Sequence, residues 1–418
     1  MRFAPIAAAF FCLSLAVSAQ DLSTIIKNDP SLSSTVYQPY TPREGSLTRA
    51  PGGFKPFYIS HYGRHGSRYY TGWKYFEEAA GRLDAMKQAG MLTEDGLKLY
   101  DEFITLTQVH DRMYGELTPR GAREHRAISQ RMYERFGRVF RKRGTVNCVS
   151  TTVPRCIISM TNFTNRLQAN VPSLNMSFTT GEKYFNLLCA DYGRTGQGEY
   201  ARHIADSLGR AISRYDKLFQ RILKDPEAAC KLLDDPYKLA HGIYIAGCIC
   251  PDVDFTGTNL HKYFTADELA SFVIPLNNRL YGDFGYSVEW GDKMIPFEKA
   301  LLRDFVDKAD AALQEGSDVA ADLRFGHDSG ILPLLALMGI EGQDIRCRVA
   351  DADKHWYAHE MVPMGTNLQL IFYRNCKGEV LVKMLYNEAE TAIKAVPAYQ
   401  GPYYRWEDLR EWFVSRSK

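Results

Sequence analysis

After its first twenty residues the chain has no apolar run long enough to cross a bilayer as a helix, and it has no excess of charge of either sign. Lysine and arginine number 51 against 49 aspartate and glutamate residues, which gives a formal net charge of +2. This balance argues against a nucleic-acid partner or a membrane surface bound through bulk electrostatic attraction. We therefore expect no nucleic-acid partner and no membrane anchor, and any anion must bind to a local cluster of basic side chains.

Patterns typical of metal sites are also missing. Cys248 and Cys250 are separated by one residue, and no second pair of this kind completes a zinc site. Two histidine pairs have a spacing of four residues but lack the His-Glu-x-x-His pattern: His61 with His65, and His355 with His359. We expect no metal and no cofactor. Of the nine cysteines all but Cys12 follow residue 20, and their even number permits disulfides whose pairing the sequence leaves open.

The N-terminus has the parts of a secretory signal peptide. Arg2 precedes an apolar run over residues 3–17, and Val17-Ser18-Ala19 offers the small side chains that a signal peptidase reads. The run is too short for a permanent membrane anchor, and a buried N-terminal helix is the less favoured alternative. We predict a signal peptide over residues 1–19 and an exported protein, periplasmic or extracellular. The oligomeric state is open.

The order of predicted elements is that of an α/β protein. Strands are expected at 56–61, 146–152 and 322–326, and a β-hairpin from 367–373 and 379–386. Helices are expected at 75–88, 94–112, 120–143, 155–169, 296–314 and 330–337. This alternation predicts a Rossmann-like three-layer core with a mostly parallel sheet. The predicted divisions are an irregular leader (20–53), a catalytic core (54–183), an inserted, mostly helical cap (184–295) and the rest of the core (296–418).

The segment from Tyr58 to Arg68 has the strongest functional signal in the chain. It places His65 where a strand ends and a glycine-containing turn begins, between Arg64 and Arg68. Ligands of open α/β sheets bind at this edge. Guanidinium groups bind phosphate oxygens through two hydrogen bonds, and their positive charge keeps a neighbouring imidazole neutral. A neutral imidazole can attack phosphorus, so the pattern predicts a phosphate site with His65 as the nucleophile.

Two further strand-to-helix junctions carry matching residues. His327 and Asp328 follow the strand at 322–326 and begin a helix, and Arg155 begins the helix after the strand at 146–152. Asp328 and Ser329 also suit a purely structural role as helix caps. Because the ends of parallel strands meet at one edge of a sheet, we expect these residues to lie near His65. There His327 would donate to a phosphate oxygen and Asp328 would hold a proton for the leaving oxygen.

The first of these segments resembles a motif of the histidine acid phosphatase family, which includes phytases and the multiple inositol polyphosphate phosphatases. That motif is Arg-His-Gly-x-Arg-x-Pro, and it is matched by Arg64, His65, Gly66 and Arg68. Tyr70 stands in place of the proline, a difference that concerns the shape of the loop rather than its contact with phosphate.

Three shorter segments extend the resemblance over most of the chain, from about residue 58 to 373. The second signature of the family, in its His-Asp form, is matched by His327 and Asp328. The Leu-Thr-x-x-Gly segment is matched by Leu117, Thr118 and Gly121, and the Arg-x-x-x-Ser region by Arg155 and Ser159. Each motif is weak alone, and together they are specific.

The resemblance implies a hydrolase of phosphate monoesters that needs no metal. His65 would form a phosphohistidine, and Asp328 would protonate the leaving oxygen and then activate water. Arg64, Arg68, Arg155 and His327 would hold the phosphate oxygens. The substrate class implied first is inositol phosphates such as phytate, followed by sugar phosphates. Two other functions remain open: a phosphotransferase similar to phosphoglycerate mutase, and a non-catalytic protein that binds phosphoryl ligands.

Overall fold

The computed structural model describes residues 21–43, 45–189 and 197–418. The predicted signal peptide, with its cleavage site at Ala19, lies outside the described residues. Each of the eight cysteines after residue 20 is a free thiol. Of the helices within the described ranges, none combines the length and apolar character needed to traverse a bilayer.

The described elements agree with the predicted order. The strands are β1 (Lys55–Arg64), β2 (Thr145–Ser150), β3 (Asn175–Thr179), β4 (Val319–Gly326), β5 (Asn367–Arg374), β6 (Val380–Tyr386), β7 (Ala389–Thr391) and β8 (Tyr403–Arg405). The helices of the first part are α1 (Leu22–Asn28), α2 (Trp73–Gln88), α3 (Glu94–His110), α4 (Pro119–Lys142), α5 (Pro154–Asn170) and α6 (Glu182–Leu188). They are followed by α7 (Gln197–Ile212), α8 (Asp216–Ile222), α9 (Pro226–Leu232), α10 (Pro236–Ile249), α11 (Ala266–Phe284) and α12 (Gly291–Met294). The last four are α13 (Lys299–Leu313), α14 (Asp328–Met338), α15 (Ala358–Met361) and α16 (Trp406–Arg416).

Five 3₁₀ helices complete the regular structure of the described residues. They span Pro30–Tyr37, Cys250–Thr256, Leu260–Tyr263, Ile295–Glu298 and Val349–Lys354. All the strands and helices expected from the sequence are present, with ends that differ by a few residues.

The strands form one sheet in the order β3-β2-β4-β1-β5-β6-β7, and β8 pairs with β6. The run β3-β2-β4-β1 is parallel throughout. The predicted hairpin is the antiparallel pair β5–β6, and β5 joins it to β1. The predicted α/β class with its mostly parallel central sheet is confirmed, and the antiparallel strands extend it at one side.

Helices cover both faces of the sheet and make three layers. On one face Ile59 and Leu323 pack with Phe163 of α5, and α4 adds to this cluster. On the other face Tyr58 packs in a cluster with Leu335 of α14, to which α13 and α16 also contribute. Adjacent residues of β1 thus point to opposite faces, and both faces are apolar, as a strand between two helical layers requires.

A separate hydrophobic cluster lies within the helical part of the molecule. It contains buried residues of α8, α10 and α11 together with Leu22 of α1, Phe76 of α2 and Phe103 of α3. The sequence did not indicate that α1 to α3 join this cluster. The division at residues 54, 184 and 296 stays a prediction.

The predicted irregular leader is wrong for residues 22–37. Asp21 accepts a hydrogen bond from the Thr24 backbone N–H at 2.7 Å and caps α1. Asp29 in the same way accepts from the Ser31 N–H at 3.1 Å, before the 3₁₀ helix that starts at Pro30. Both elements are short, and their apolar residues are buried by distant parts of the chain, so local periodicity does not reveal them.

Candidate active site

Two neighbouring strand ends bring the predicted catalytic segments together. Strands β1 and β4 are parallel, with Arg64 opposite Gly326 in the register. The backbone N–H of His65 donates to the Gly326 carbonyl at 3.0 Å, and the rings of His65 and His327 lie 5.6 Å apart between centroids. The expected convergence at one sheet edge is therefore present, although the roles of these residues stay predictions.

The orientation of the His65 ring fixes its tautomer. Nδ1 lies 2.9 Å from the Gly66 carbonyl oxygen. A carbonyl oxygen only accepts, so Nδ1 carries the proton and Nε2 carries the lone pair. Burial lowers the pKa of His65 well below its ordinary value, and the charges of Arg155 and Arg64 lower it further. His65 is thus a neutral imidazole with a basic nitrogen.

Arg64 is fully buried and held by three groups. Its Nη1 donates to the carbonyl oxygens of Val36 and Val362, at 2.8 and 2.6 Å. Its Nη2 forms an ion pair with Asp328 Oδ2 at 2.9 Å. Burial lowers the pKa of Arg64, and the Asp328 carboxylate opposes that shift. The guanidinium therefore has a fixed position beside the catalytic segments.

Asp328 is the first residue of α14, and His327 occupies the cap position without a capping side-chain bond. The backbone N–H of Ser329 donates to Asp328 Oδ1 at 2.9 Å. Burial raises the pKa of Asp328, but the positive field of Arg64 and the neighbouring His327 and Arg68 outweighs it, so the pKa lies below its ordinary value. The carboxyl is ionised in this ligand-free state at neutral pH.

The other predicted phosphate-binding residues surround the same space. Arg155 donates from Nη1 to the Gly115 carbonyl at 3.2 Å, and its Nη2 lies 3.5 Å from His327 Nδ1. His327 Nε2 is 3.1 Å from Thr151 Oγ1. Arg68 donates from Nη1 to the Tyr69 carbonyl at 3.1 Å. Burial lowers the pKa of His327 to about 3, so this imidazole is also neutral.

Several guanidinium donors in this cluster have no acceptor. Among the described residues nothing accepts a hydrogen bond from the buried Nε atoms of Arg64, Arg68 and Arg155. Buried donors are nearly always paired in folded proteins, so these donors are available to a bound anion or to water. Three arginines with free donors around a neutral histidine suit an oxyanion such as phosphate.

Helix α4 supports the loop that carries His65. Its residue Glu124 is buried and accepts from the backbone N–H and the hydroxyl of Ser67, both at 2.8 Å. The hydroxyl of Thr118, the cap of α4, donates to the Ser67 carbonyl at 3.0 Å. Glu124 was missed by sequence reasoning. Its contact with Ser67 spans 57 positions and depends on tertiary packing, so it leaves no local signal in the sequence.

Tyr70, which replaces the family proline, is buried and continues this loop. Its carbonyl accepts from the Gly115 N–H at 2.9 Å. Its ring packs against Tyr37 and Phe76, with centroids 5.8 and 5.6 Å away. The loop is therefore tied to the segment before α4 by backbone hydrogen bonds and by aromatic packing.

A cavity of about 440 Å³ lies between α2, α7, α10 and α11, and Tyr37 and Tyr70 form part of its wall. Five basic side chains line it against two acidic ones, Glu78 and Asp206. The basic residues are Lys74, Arg202, Arg210, Lys238 and Arg279. Tyr37 connects this cavity to the arginine cluster, because its ring lies 5.4 Å from the Arg68 guanidinium carbon.

The side chain of His61 is enclosed by aromatic rings. It lies inside β1, where its ring packs against Phe163 and Phe325 at centroid distances of 5.3 and 5.4 Å. Burial lowers the pKa of His61 to about 3. Within the part of the chain that the structure describes, no three His, Cys, Asp or Glu side chains are grouped as metal ligands would be.

The family model "histidine phosphatase superfamily (branch 2)" matches residues 196–387. No curated protein matches the chain.

Solved structures match over most of the chain. The multiple inositol polyphosphate phosphatase of Bifidobacterium longum in complex with phosphate is 20% identical and has a TM-score of 0.78, with 92% of this chain and 98% of that chain covered. The same protein in complex with inositol hexasulfate has 19% identity, a TM-score of 0.75 and equal coverage. The phytase from D. castellii has 15% identity and a TM-score of 0.67, with 94% and 85% covered. The resemblance inferred from the motifs is confirmed, and the fold is the one these phosphatases share.

Proposed function

We propose that the chain is an exported phosphoric monoester hydrolase that works through a phosphohistidine on His65. The observation that carries the proposal is the state of His65: a neutral ring whose Nδ1 proton is held by Gly66, among arginines with unpaired donors. This arrangement offers both a nucleophile and a site for the phosphate that it attacks. The family match and the shared fold support the same activity.

In the first half of the reaction, Nε2 of His65 attacks phosphorus. The Nε2–P bond forms, the bond from phosphorus to the ester oxygen breaks, and its electron pair stays on that oxygen. The donors of Arg64, Arg68 and Arg155 stabilise the charge on the non-bridging oxygens. Asp328 in its protonated form gives its proton to the leaving oxygen, so the product departs as a neutral alcohol.

The proton on Asp328 depends on the substrate. In the ligand-free protein the neighbouring cations keep the pKa of Asp328 below its ordinary value. A bound phosphate dianion offsets these cations, so the carboxyl takes up a proton more readily in the complex. The first step becomes slower as the pH rises above the pKa of Asp328 in the complex, and mildly acidic conditions favour it.

In the second half, Asp328 has become a carboxylate and removes a proton from water. The water oxygen attacks phosphorus, an O–P bond forms and the Nε2–P bond breaks. Inorganic phosphate leaves, and both His65 and Asp328 return to their starting protonation states. A proton removed from water thus replaces the one given to the alcohol, and no metal takes part in this sequence.

Inositol phosphates such as phytate are the proposed substrates. The basic side chains of the neighbouring cavity suit a ligand with several phosphate groups, only one of which occupies the arginine cluster. The Bifidobacterium longum phosphatase, which shares the fold, was solved with inositol hexasulfate. Sugar phosphates are the alternative. Export rests on the signal-peptide pattern at 1–19.

The test is phosphate release from phytate and from an aryl phosphate by the mature protein. We expect activity on both, and His65→Ala should lower it about 10³-fold or more. The matched control is His355→Ala, which removes an exposed histidine and should leave turnover unchanged. Release by His65→Ala at the wild-type rate would contradict the proposed nucleophile. Transfer of the phosphoryl group to a second alcohol in preference to water would favour a phosphotransferase. Binding of phytate without phosphate release would favour a protein that only binds phosphoryl ligands.

A further inference from the structure

The segment from Ser33 to Gln38, which we call the strap, runs from the helical part of the molecule to the arginine cluster. At its start, the Ser33 hydroxyl lies 2.8 Å from His261 Nδ1, and the Ser33 carbonyl accepts from the Tyr244 hydroxyl at 3.1 Å. At its end, the Gln38 carbonyl accepts from the Met364 backbone N–H at 2.8 Å. The strap is therefore fixed at both ends by groups far away in the sequence.

The middle of the strap has an unusual backbone. Thr35 has φ +52° and ψ −122°, values that favour glycine and are rare for a β-branched residue. Its side chain is 1% exposed. Such a conformation persists only where surrounding contacts over-determine it, and it is typical of functional regions. Here the next two residues, Val36 and Tyr37, both reach the predicted phosphate-binding arginines.

These two residues act on different arginines. The Val36 carbonyl accepts from Arg64 Nη1 at 2.8 Å, which fixes the guanidinium that pairs with Asp328. The ring of Tyr37 covers Arg68 at 5.4 Å, a distance within the range of a cation–π contact. The strap thus contacts two of the arginines and restricts their orientation.

Tyr37 also faces the basic cavity. Its side chain is half-buried, packs on Tyr70 and forms part of the cavity wall together with Arg279. Burial raises the pKa of its hydroxyl, while the nearby Arg68 and Arg279 oppose the rise. The hydroxyl is thus neutral, and Tyr37 contacts a cation of the phosphate site while it shares the cavity wall with a second cation.

We propose that Tyr37 is a specificity-determining residue, which hydrogen-bonds the part of the substrate that extends from the arginine cluster into the cavity. This inference rests on the proposed function. Tyr37 both contacts Arg68 and lines the cavity, so a substrate that reaches from the arginine cluster to the cavity lies beside it. The substrate's remaining hydroxyl or phosphate oxygens then come within reach of the Tyr37 hydroxyl. An aryl phosphate carries no such oxygens beyond its reacting group.

The test compares Tyr37→Phe with the wild-type protein on phytate and on p-nitrophenyl phosphate. The substitution keeps the ring over Arg68 and removes only the hydroxyl. We expect the ratio of kcat/KM for phytate to kcat/KM for the aryl phosphate to fall about five- to tenfold, the effect of one hydrogen bond. The control is Tyr399→Phe, at an exposed tyrosine of the other sheet edge, which should keep the wild-type ratio. An unchanged ratio in Tyr37→Phe overturns the inference.

Equilibrium binding separates failure of this inference from failure of the proposed function. Calorimetric titration with phytate in a His65→Ala background, which stops turnover, should give a Kd about five- to tenfold higher with Tyr37→Phe than without it. An inactive wild-type protein overturns the proposed hydrolysis, and the two Kd values still decide the role of Tyr37. Equal Kd values overturn that role whether or not the protein turns over.

Discussion

Arg64 and Asp328 form an ion pair at the ends of two neighbouring strands, with Arg64 Nη2 2.9 Å from Asp328 Oδ2. The arginine is completely buried, whereas the aspartate side chain is 20% exposed. The pair therefore has one partner inside the protein and one at the wall of the site. The cations around Asp328 lower its pKa, so the carboxyl is ionised at neutral pH.

Asp328→Asn should affect substrates according to their leaving groups. An inositol alkoxide needs a proton as it departs, so we expect kcat for phytate to fall about 10²- to 10⁴-fold. A p-nitrophenolate leaves without protonation, so the rate at which the phosphohistidine forms from p-nitrophenyl phosphate should fall much less. Burst kinetics with the aryl ester measure this step. Equal losses of phosphorylation rate on both substrates would remove the role of proton donor from Asp328.

The same substitution should change stability with a defined pH dependence. Because the pKa of Asp328 is lowered in the folded state, its contribution is present above the ordinary pKa of 3.8 and is lost as the pH falls through the folded pKa. At pH 6, Asp328→Asn leaves a buried Arg64 without its anion, at a cost of about 3 kcal/mol in the free energy of unfolding. The difference from wild type should shrink below pH 4.

Urea denaturation from pH 3 to pH 7 measures that difference. Asp267→Asn is the control, since it removes the partner of the exposed Lys27 and should show no comparable loss. A cost for Asp328→Asn that stays constant across this pH range would mean that the Asp328 carboxylate does not stabilise Arg64.

Local patterns were sufficient to predict the central part of the fold and the proximity of the candidate site residues. Both β1 and β4 are directly followed by a histidine, and parallel pairing brings such strand ends together. The convergence of His65 with His327 and Asp328 follows from this arrangement. Arg155 was found in the same way, at the start of the helix after β2.

The residues that sequence reasoning missed act through contacts between distant parts of the chain. Tyr37 reaches Arg68 only because Ser33 is fixed on His261, 228 positions away. Glu124 reaches Ser67 across 57 positions, and its surroundings look like an ordinary basic helix face. Neither contact leaves a periodic signal, since each depends on tertiary packing.

Inorganic phosphate should stabilise the protein through the arginine cluster. Binding to the folded state alone adds about 2.7 kcal/mol to the free energy of unfolding at a phosphate concentration of 100 Kd. Arg155→Gln removes a guanidinium with an unpaired buried donor and should abolish most of this gain. The matched control is Arg166→Gln on the same helix, an exposed arginine bonded to Gln130. Thermal unfolding with and without phosphate gives the comparison, and an equal gain in Arg155→Gln and wild type would argue against the site.

Gly121→Ala should disrupt the loop that carries His65. A Cβ atom at Gly121 would lie 2.2 Å from the Ser67 carbonyl oxygen and 2.7 Å from its nitrogen. These are backbone atoms between His65 and Arg68, so the strain cannot be relieved by a side-chain rotation. We expect a loss of about 1–3 kcal/mol in the free energy of unfolding and a lower kcat for phosphate release.

Gly81→Ala provides the matched control for this substitution. Gly81 lies in α2, and a Cβ atom there meets nothing within 4 Å. Alanine at that helical position should stabilise the protein by about 0.5–1 kcal/mol, with unchanged turnover. Denaturant midpoints and kcat values for both variants test this predicted difference in stability and turnover. If Gly121→Ala behaved like Gly81→Ala, the loop would be able to move away from α4, and the contact between Gly121 and Ser67 would not hold His65 in position.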